Sequence, residues 1–209
     1  MDFTYWNNYY NKNLAPKEPS PFAKEVLSKL EKDKKLIELG CGNGRDSIYF
    51  ADNGINVTAI DQCETSIENL RKSTNKETLK FYSDNFIDSN LLKKNKYDYV
   101  YSRFTMHSIS EIQQEESLIN AYKSLNDNGV LFIEVRSIKD NIFGMGVEVE
   151  RNAYIYNDHY RRFIVKEEIL DKLIEIGFKI KFADENNGYA KYKNDDPVVI
   201  RVIAEKCER

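Results

Sequence analysis

Between residues 35 and 136, short apolar runs of strand length alternate with longer stretches of helical periodicity, and no other feature constrains the fold as strongly. Residues 35–39, 56–60, 79–82, 97–102 and 129–136 read as strands, and 44–53, 63–73 and 111–125 as helices. Strands joined by helix-length crossovers pair in parallel, and the helices then cover both faces of the sheet. Upstream, Ser20-Pro21 starts a helix, with Phe22, Val26, Leu27 and Leu30 at helical spacing. Downstream, residues 137–160 read as irregular, 166–176 as a helix closed by Gly177, and 179–184 with 198–204 as a terminal strand pair. The expectation is an α/β chain with a mainly parallel seven-stranded sheet, helices on both faces and an antiparallel terminal strand.

A length of 209 residues suits one domain, 1–209. Its parts are an aromatic arm and helix (1–34), a core (35–136), an insertion (137–165) and a C-terminal helix with two strands (166–209). A net charge of −3 offers no overall attraction to nucleic acid or anionic membranes, so neither is an expected partner. The first residues lack a basic stretch followed by an apolar run, and apolar stretches such as 130–133 are strand-sized, so a cytoplasmic protein is expected. Cys41, Cys63 and Cys207 show no metal-ligand spacing, and neither a disulfide nor a metal is expected. Monomer and homodimer both stay open.

The junction of the first strand and its helix is Glu38-Leu39-Gly40-Cys41-Gly42-Asn43-Gly44. Glycines allow a tight turn and close backbone approach to a ligand, and the helix start offers free N–H groups. A dinucleotide fingerprint needs its third glycine one place later, where Arg45 stands. The segment instead resembles motif I of class I S-adenosylmethionine-dependent methyltransferases, which have a Rossmann-like fold. That resemblance implies that Glu38, Gly40, Cys41, Gly42 and Gly44 hold the amino-acid end of S-adenosylmethionine.

Asp61, 21 positions beyond Gly40, ends the second strand. A carboxylate there can accept hydrogen bonds from both ribose hydroxyls, as motif II of the family does, and it also sits where a helix cap would. After the third strand, Asp84-Asn85-Phe86 occupies the place of the family's adenine site, although Ser83-Asp84-Asn85 is equally a turn sequence. The resemblance covers residues 35–90 in order and extends through the fifth strand.

Ser102-Arg103-Phe104-Thr105-Met106-His107 follows the fourth strand, at the sheet edge where open α/β folds place ligands. Ser102 is assigned to the cofactor, and Arg103 either binds an anionic acceptor or clamps a loop carboxylate. His107 is the candidate general base, or else a histidine packed beneath the loop. His159, Arg161 and Arg162, within His159-Tyr160-Arg161-Arg162-Phe163, supply donors for an anionic acceptor, or else one arginine faces solvent and the other pairs with an acid. Tyr5, Trp6, Tyr9 and Tyr10 either cap the cofactor pocket or pack on the domain surface. The pairing of Ser-Arg-Phe-x-x-His with His-Tyr-Arg-Arg-Phe resembles methyltransferases of bacterial surface-polysaccharide biosynthesis. It implies O-methylation of a small phosphorylated or nucleotide-linked acceptor by direct in-line transfer. Two alternatives stand beside it: a small-molecule N-methyltransferase, with an acidic or aromatic acceptor pocket, and a non-catalytic nucleoside-binding module.

Overall fold

The computed structural model describes residues 5–6 and 16–207. Tyr9 and Tyr10 lie outside them. The order of elements is α1 (Pro21–Leu27), β1 (Lys35–Leu39), α2 (Arg45–Asp52), β2 (Asn56–Asp61), α3 (Glu64–Ser73), β3 (Leu79–Ser83), α4 (Asn90–Lys94) and β4 (Tyr97–Arg103). A 3-10 turn (Met106–Ser108), α5 (Glu111–Ser124), β5 (Leu125–Arg136), β6 (Val147–Glu150), β7 (Ala153–Tyr156), β8 (His159–Arg162), α6 (Lys166–Ile176), β9 (Phe178–Asn186) and β10 (Val199–Lys206) follow.

Seven strands form one sheet in the order β3-β2-β1-β4-β5-β10-β9. β1 to β5 pair in parallel, and β10 runs antiparallel to both of its neighbours. This is the mainly parallel seven-stranded α/β arrangement that the alternating pattern implied, with the antiparallel strand expected near its end. Strand side chains alternate between faces. Leu36, Val57, Tyr99, Tyr101 and Phe132 therefore pack under α1, α2 and α3 with Phe22, Phe50 and Ile67. Ile37, Leu39, Val100, Ile133 and Val202 face the opposite way, against Leu118 of α5 and Leu173 of α6. No helix among the described residues is long and apolar enough to cross a membrane.

The structure departs from the sequence reading in three places, the first being the short helix α4, which that reading does not contain. β5 begins at Leu125 rather than 129, because Leu125 pairs with Tyr97 before the register jumps so that Tyr99 faces Val130 across the left-handed Asn128. The stretch read as irregular holds a second sheet, an antiparallel meander in the order β6-β7-β8. Its β7–β8 turn is Asn157-Asp158, both with positive φ (52° and 55°). A two-residue turn of that hand matches the twist of a hairpin, and Asn and Asp tolerate it better than other residues with side chains.

Candidate active site

Strand order reverses between β1 and β4, so the loops leaving their carboxyl ends diverge and a cleft opens between them. Glu38, Gly40, Cys41, Asp61 and Phe86 line one part of it; Arg103, Phe104, Thr105 and Ser108 line another. Trp6 and Asp46 also reach it.

The glycine loop owes its course to left-handed backbone: φ is 71° at Gly40, 56° at Gly42 and 73° at Gly44. The amides of Gly40 and Cys41 donate to the Ile60 carbonyl at 2.8 and 3.0 Å, which draws the loop across the end of β2. A Cβ on Gly40 would sit 2.3 Å from Thr105 Cγ2. Asp61 completes the link. Its Oδ2 accepts from the Gly42 N–H and its Oδ1 from the Cys63 N–H, both at 2.8 Å. Burial raises the Asp61 pKa, and the backbone N–H bonds hold it back. Asp61 is not the cap of α3, a position that Cys63 occupies.

Glu38 is buried below the loop and accepts from the Ser47 hydroxyl. Burial and the neighbouring Asp46 push its carboxyl well above the usual range. Asp46, in the first turn of α2, accepts from the Ser20 N–H and hydroxyl, both at 2.7 Å, and from the Tyr101 hydroxyl at 3.0 Å. The Asp84 N–H donates to the Asp61 carbonyl at 3.0 Å. The Asp84 carboxylate accepts from the Asn85 N–H at 2.8 Å and the Ser89 hydroxyl at 2.5 Å. Asn85 Oδ1 accepts from the Ile87 N–H at 3.1 Å. The side chains of Asp84 and Asn85 thus bind their own turn, and Phe86 is the member of that trio whose side chain helps line the cleft. Ser102 is buried, its hydroxyl 2.5 Å from that of Thr105, and it supports the loop from below.

At the other end, Arg103 Nε donates to Glu134 Oε1 at 2.8 Å, and its guanidinium lies 4.3 Å from the centre of the Phe104 ring. Glu134 is fully buried on β5, and its second oxygen accepts from Arg201 Nε at 2.7 Å. Arg201 also reaches Glu25 at 2.5 Å and the Tyr189 carbonyl at 2.8 Å. Arg136 donates to Asp140 at 2.8 Å and to Asp195 at 2.6 Å. Sequence reasoning missed Glu134, Arg136 and Arg201. The signal was present: two charges at alternate positions close an otherwise apolar strand, on the edge where ligands bind.

His107 is buried on the 3-10 turn, with its ring 5.4 Å from that of Phe104. Burial, then Arg136, His159, Arg161 and Arg103, push its pKa well below the usual value, so it is neutral. It packs beneath the loop and is not among the residues lining the cleft. His159 and Arg161 share one face of β8, and Tyr160 and Arg162 share the other. Tyr5 stacks on His159 with ring centres 3.8 Å apart. Arg162 turns the opposite way, its Nε donating to the Ile109 carbonyl at 3.0 Å and its Nη2 to Gln114 at 2.5 Å. The structure does not bring Arg162 to the cleft, and His159 and Arg161 are not among the residues that line it.

The family of tellurite resistance protein TehB matches residues 4–145. The chain belongs to the TehB family of class I S-adenosylmethionine-dependent methyltransferases. Relatives of this TehB-like chain include the ubiquinone biosynthesis O-methyltransferase of Rickettsia canadensis (strain McKiel), 29% identical over 162 residues. That alignment takes in 74% of the chain and 65% of the relative, so the TehB-like chain spans just under two thirds of that relative's length. Among solved structures, a methyltransferase from Methanosarcina mazei superposes with a TM-score of 0.75 at 14% identity, covering 88% of this chain and 97% of that one. The Burkholderia thailandensis 1,6-didemethyltoxoflavin-N1-methyltransferase, solved with its acceptor and S-adenosylhomocysteine, gives 0.69 at 16% identity over 90% and 77%. At these identities the likeness is one of fold.

Proposed function

We propose that the chain transfers a methyl group from S-adenosylmethionine to a small anionic acceptor by direct in-line displacement. The observation that carries the proposal is a single cleft lined by the carboxylates Glu38, Asp46 and Asp61 together with the arginines Arg45 and Arg103. The donor set fits the cofactor. The loop of Gly40, Cys41, Gly42 and Gly44 lets backbone approach the methionine end, and Glu38 with Asp46 suits its ammonium. Asp61 keeps a lone pair on each oxygen for ribose hydroxyls, and Phe86 offers an apolar face for adenine. Asp84 and Asn85 act by fixing the turn that carries Phe86, and Ser102 by supporting Thr105.

When bound, S-adenosylmethionine supplies an activated methyl on a sulfonium. The protein's task is to bring the acceptor into line with that methyl and exclude water, so orientation provides most of the acceleration. Arg103 is fixed by Glu134 and addresses an anion. His107, buried beneath the loop with its pKa pushed well below the usual value, is too weak a base to act as the general base. An already ionised acceptor oxygen needs no base.

The relative from Rickettsia is an O-methyltransferase and the Burkholderia neighbour an N1-methyltransferase, so both acceptor atoms occur on this fold. Arginine beside the cleft favours an oxygen acceptor in an anionic molecule over an amine. A phosphorylated or nucleotide-linked sugar of surface polysaccharide belongs to that class; its only support is the sequence resemblance of Ser102 to His107 and His159 to Phe163. The chain acts as one catalytic unit in the cytoplasm, whose reducing conditions suit Cys41, Cys63 and Cys207, none of which is in a disulfide among the described residues.

Isothermal titration with S-adenosylmethionine and S-adenosylhomocysteine tests the cofactor half. Micromolar binding that weakens about tenfold or more in Asp61→Ala, about 1.4 kcal/mol, supports the proposal. Absence of binding to both ligands overturns it.

A further inference from the structure

The side of β8 that carries His159 and Arg161 holds a charge arrangement that the cofactor does not use. Arg103 is paired with Glu134 through its Nε, and Arg136 with Asp140 and Asp195. Arg162 on the opposite face is satisfied by Ile109 and Gln114. The Arg161 side chain is half-buried and makes no hydrogen bond or ion pair among the described residues. Taking a guanidinium out of water is unfavourable unless it is paired.

The neighbouring polar groups point to the same gap. His107 is 4% exposed, and its Nδ1 has no hydrogen-bond partner among the described residues. The 3-10 turn that carries it packs against β8. His159 is pushed down to about 3 by burial, Arg161 and Arg136. Both imidazoles are therefore neutral near pH 7, and His107 keeps one N–H as a donor. The carboxylates closest to Arg161 in charge, Asp195 and Asp140, are committed to Arg136.

We propose that Arg161, with His107, forms an oxyanion subsite beside His159 for a carboxylate or phosphate group of the acceptor. The proposal rests on the anionic-acceptor reading above and divides two adjacent arginines: Arg161 binds substrate, and Arg162 holds β8 on the fold. A guanidinium fork offers two parallel N–H groups to two oxygens, and the neutral His107 imidazole adds a donor without adding charge.

The chain contains two histidines, one in this subsite and the other beside it, so their ring signals report on it directly. The 15N- and 13C-labelled full chain, with and without saturating S-adenosylhomocysteine, is titrated by NMR with sodium phosphate and, separately, sodium acetate, using sodium chloride as the ionic-strength control. The expected result is a saturable shift of the His107 and His159 ring signals with phosphate, acetate or both, and which anion acts identifies the group recognised. In Arg161→Gln the anion affinity falls at least tenfold while S-adenosylhomocysteine binds as in the wild type. Arg161→Lys keeps the charge, loses the fork, and falls between the two. Ring signals that neither anion moves beyond the chloride control, or that move equally in Arg161→Gln, overturn the subsite. Failure of S-adenosylhomocysteine to bind the wild-type chain overturns the methyltransferase reading instead, and the anion titration without it still judges the subsite.

Discussion

At the end of the cleft proposed for the cofactor, Asp61 accepts from two backbone amides, those of Gly42 and Cys63. At the end proposed for the acceptor, Glu134 accepts from two side chains, those of Arg103 and Arg201. The first end is built from neighbours on β1, β2 and the turns that follow them. The second joins residues 31 and 67 positions apart in sequence. A site made of backbone and glycine depends on local conformation, whereas a site made of buried ion pairs depends on every member being present.

Glu134→Ala attacks the second design and has the largest expected effect. It leaves Arg103 and Arg201 buried without their shared carboxylate, and breaking such a pair costs about 3–5 kcal/mol. Urea unfolding followed by circular dichroism measures this. Glu134→Gln, which keeps the shape and two acceptor lone pairs, should recover part of the loss. A cost below about 1 kcal/mol for Glu134→Ala means that the pairs are screened like surface pairs and the contrast between the two ends is wrong.

Gly40→Ala attacks the first design. The new Cβ meets Thr105 Cγ2 at 2.3 Å, and φ is held at 71°. Left-handed strain of about 1–2 kcal/mol and overpacking of about 1–3 kcal/mol together predict a somewhat smaller loss of stability. Binding of S-adenosylhomocysteine should fall with it, since Thr105 and the glycine loop share the cleft. A variant that binds normally would show that the close approach of Gly40 to Thr105 does not shape the cofactor site.

The same contrast explains what was legible in the sequence. Strand and helix periods are local, so the sheet and its crossovers followed from them, and the loop at Gly40, Gly42 and Gly44 announced itself because left-handed backbone calls for glycine. Asp61 was found by its place at a strand end. The Glu134–Arg201 and Arg136–Asp195 pairs join distant segments, and no local period encodes a partner 67 or 59 residues away. The β6–β8 meander was hidden for another reason. Its four-residue strands carry too few side chains for alternation to stand out, although Asn157-Asp158 between Tyr156 and His159 is a hairpin-turn signal that could have exposed it. Had that turn been read, the alternation along β8 would have separated Arg161 from Arg162 in advance.

Arg162→Ala sharpens the division between these two arginines. Removing its bonds to Ile109 and Gln114 leaves buried acceptors unmatched, an expected loss of about 1–3 kcal/mol. Arg161→Ala removes a charge that has no hydrogen-bond partner among the described residues, so its stability should match or exceed the wild type in the absence of anion. Thermal unfolding of the two variants side by side measures the difference. Equal destabilisation would mean that Arg161 is also part of the fold's framework.

Acid titration gives the smallest effect and should pull the two ends in opposite directions. His107 and His159 have folded pKa values below the ordinary 6.5, that of His159 at about 3. The unfolded chain therefore binds their protons first, and stability from these groups falls as pH drops below about 6.5. Glu38 and Asp61 have raised pKa values, so the folded chain holds their protons more tightly, and their contribution rises as pH drops towards the ordinary carboxylate range. Each group limits the slope to about 1.4 kcal/mol per pH unit. Urea midpoints measured between pH 7.5 and 5 should decline less steeply in His159→Gln than in the wild type, whereas Glu38→Gln should remove the opposing gain and steepen the decline. If His159→Gln leaves the slope unchanged, His159 is not held neutral by burial among the arginines, and the acceptor end is less positive than its geometry implies.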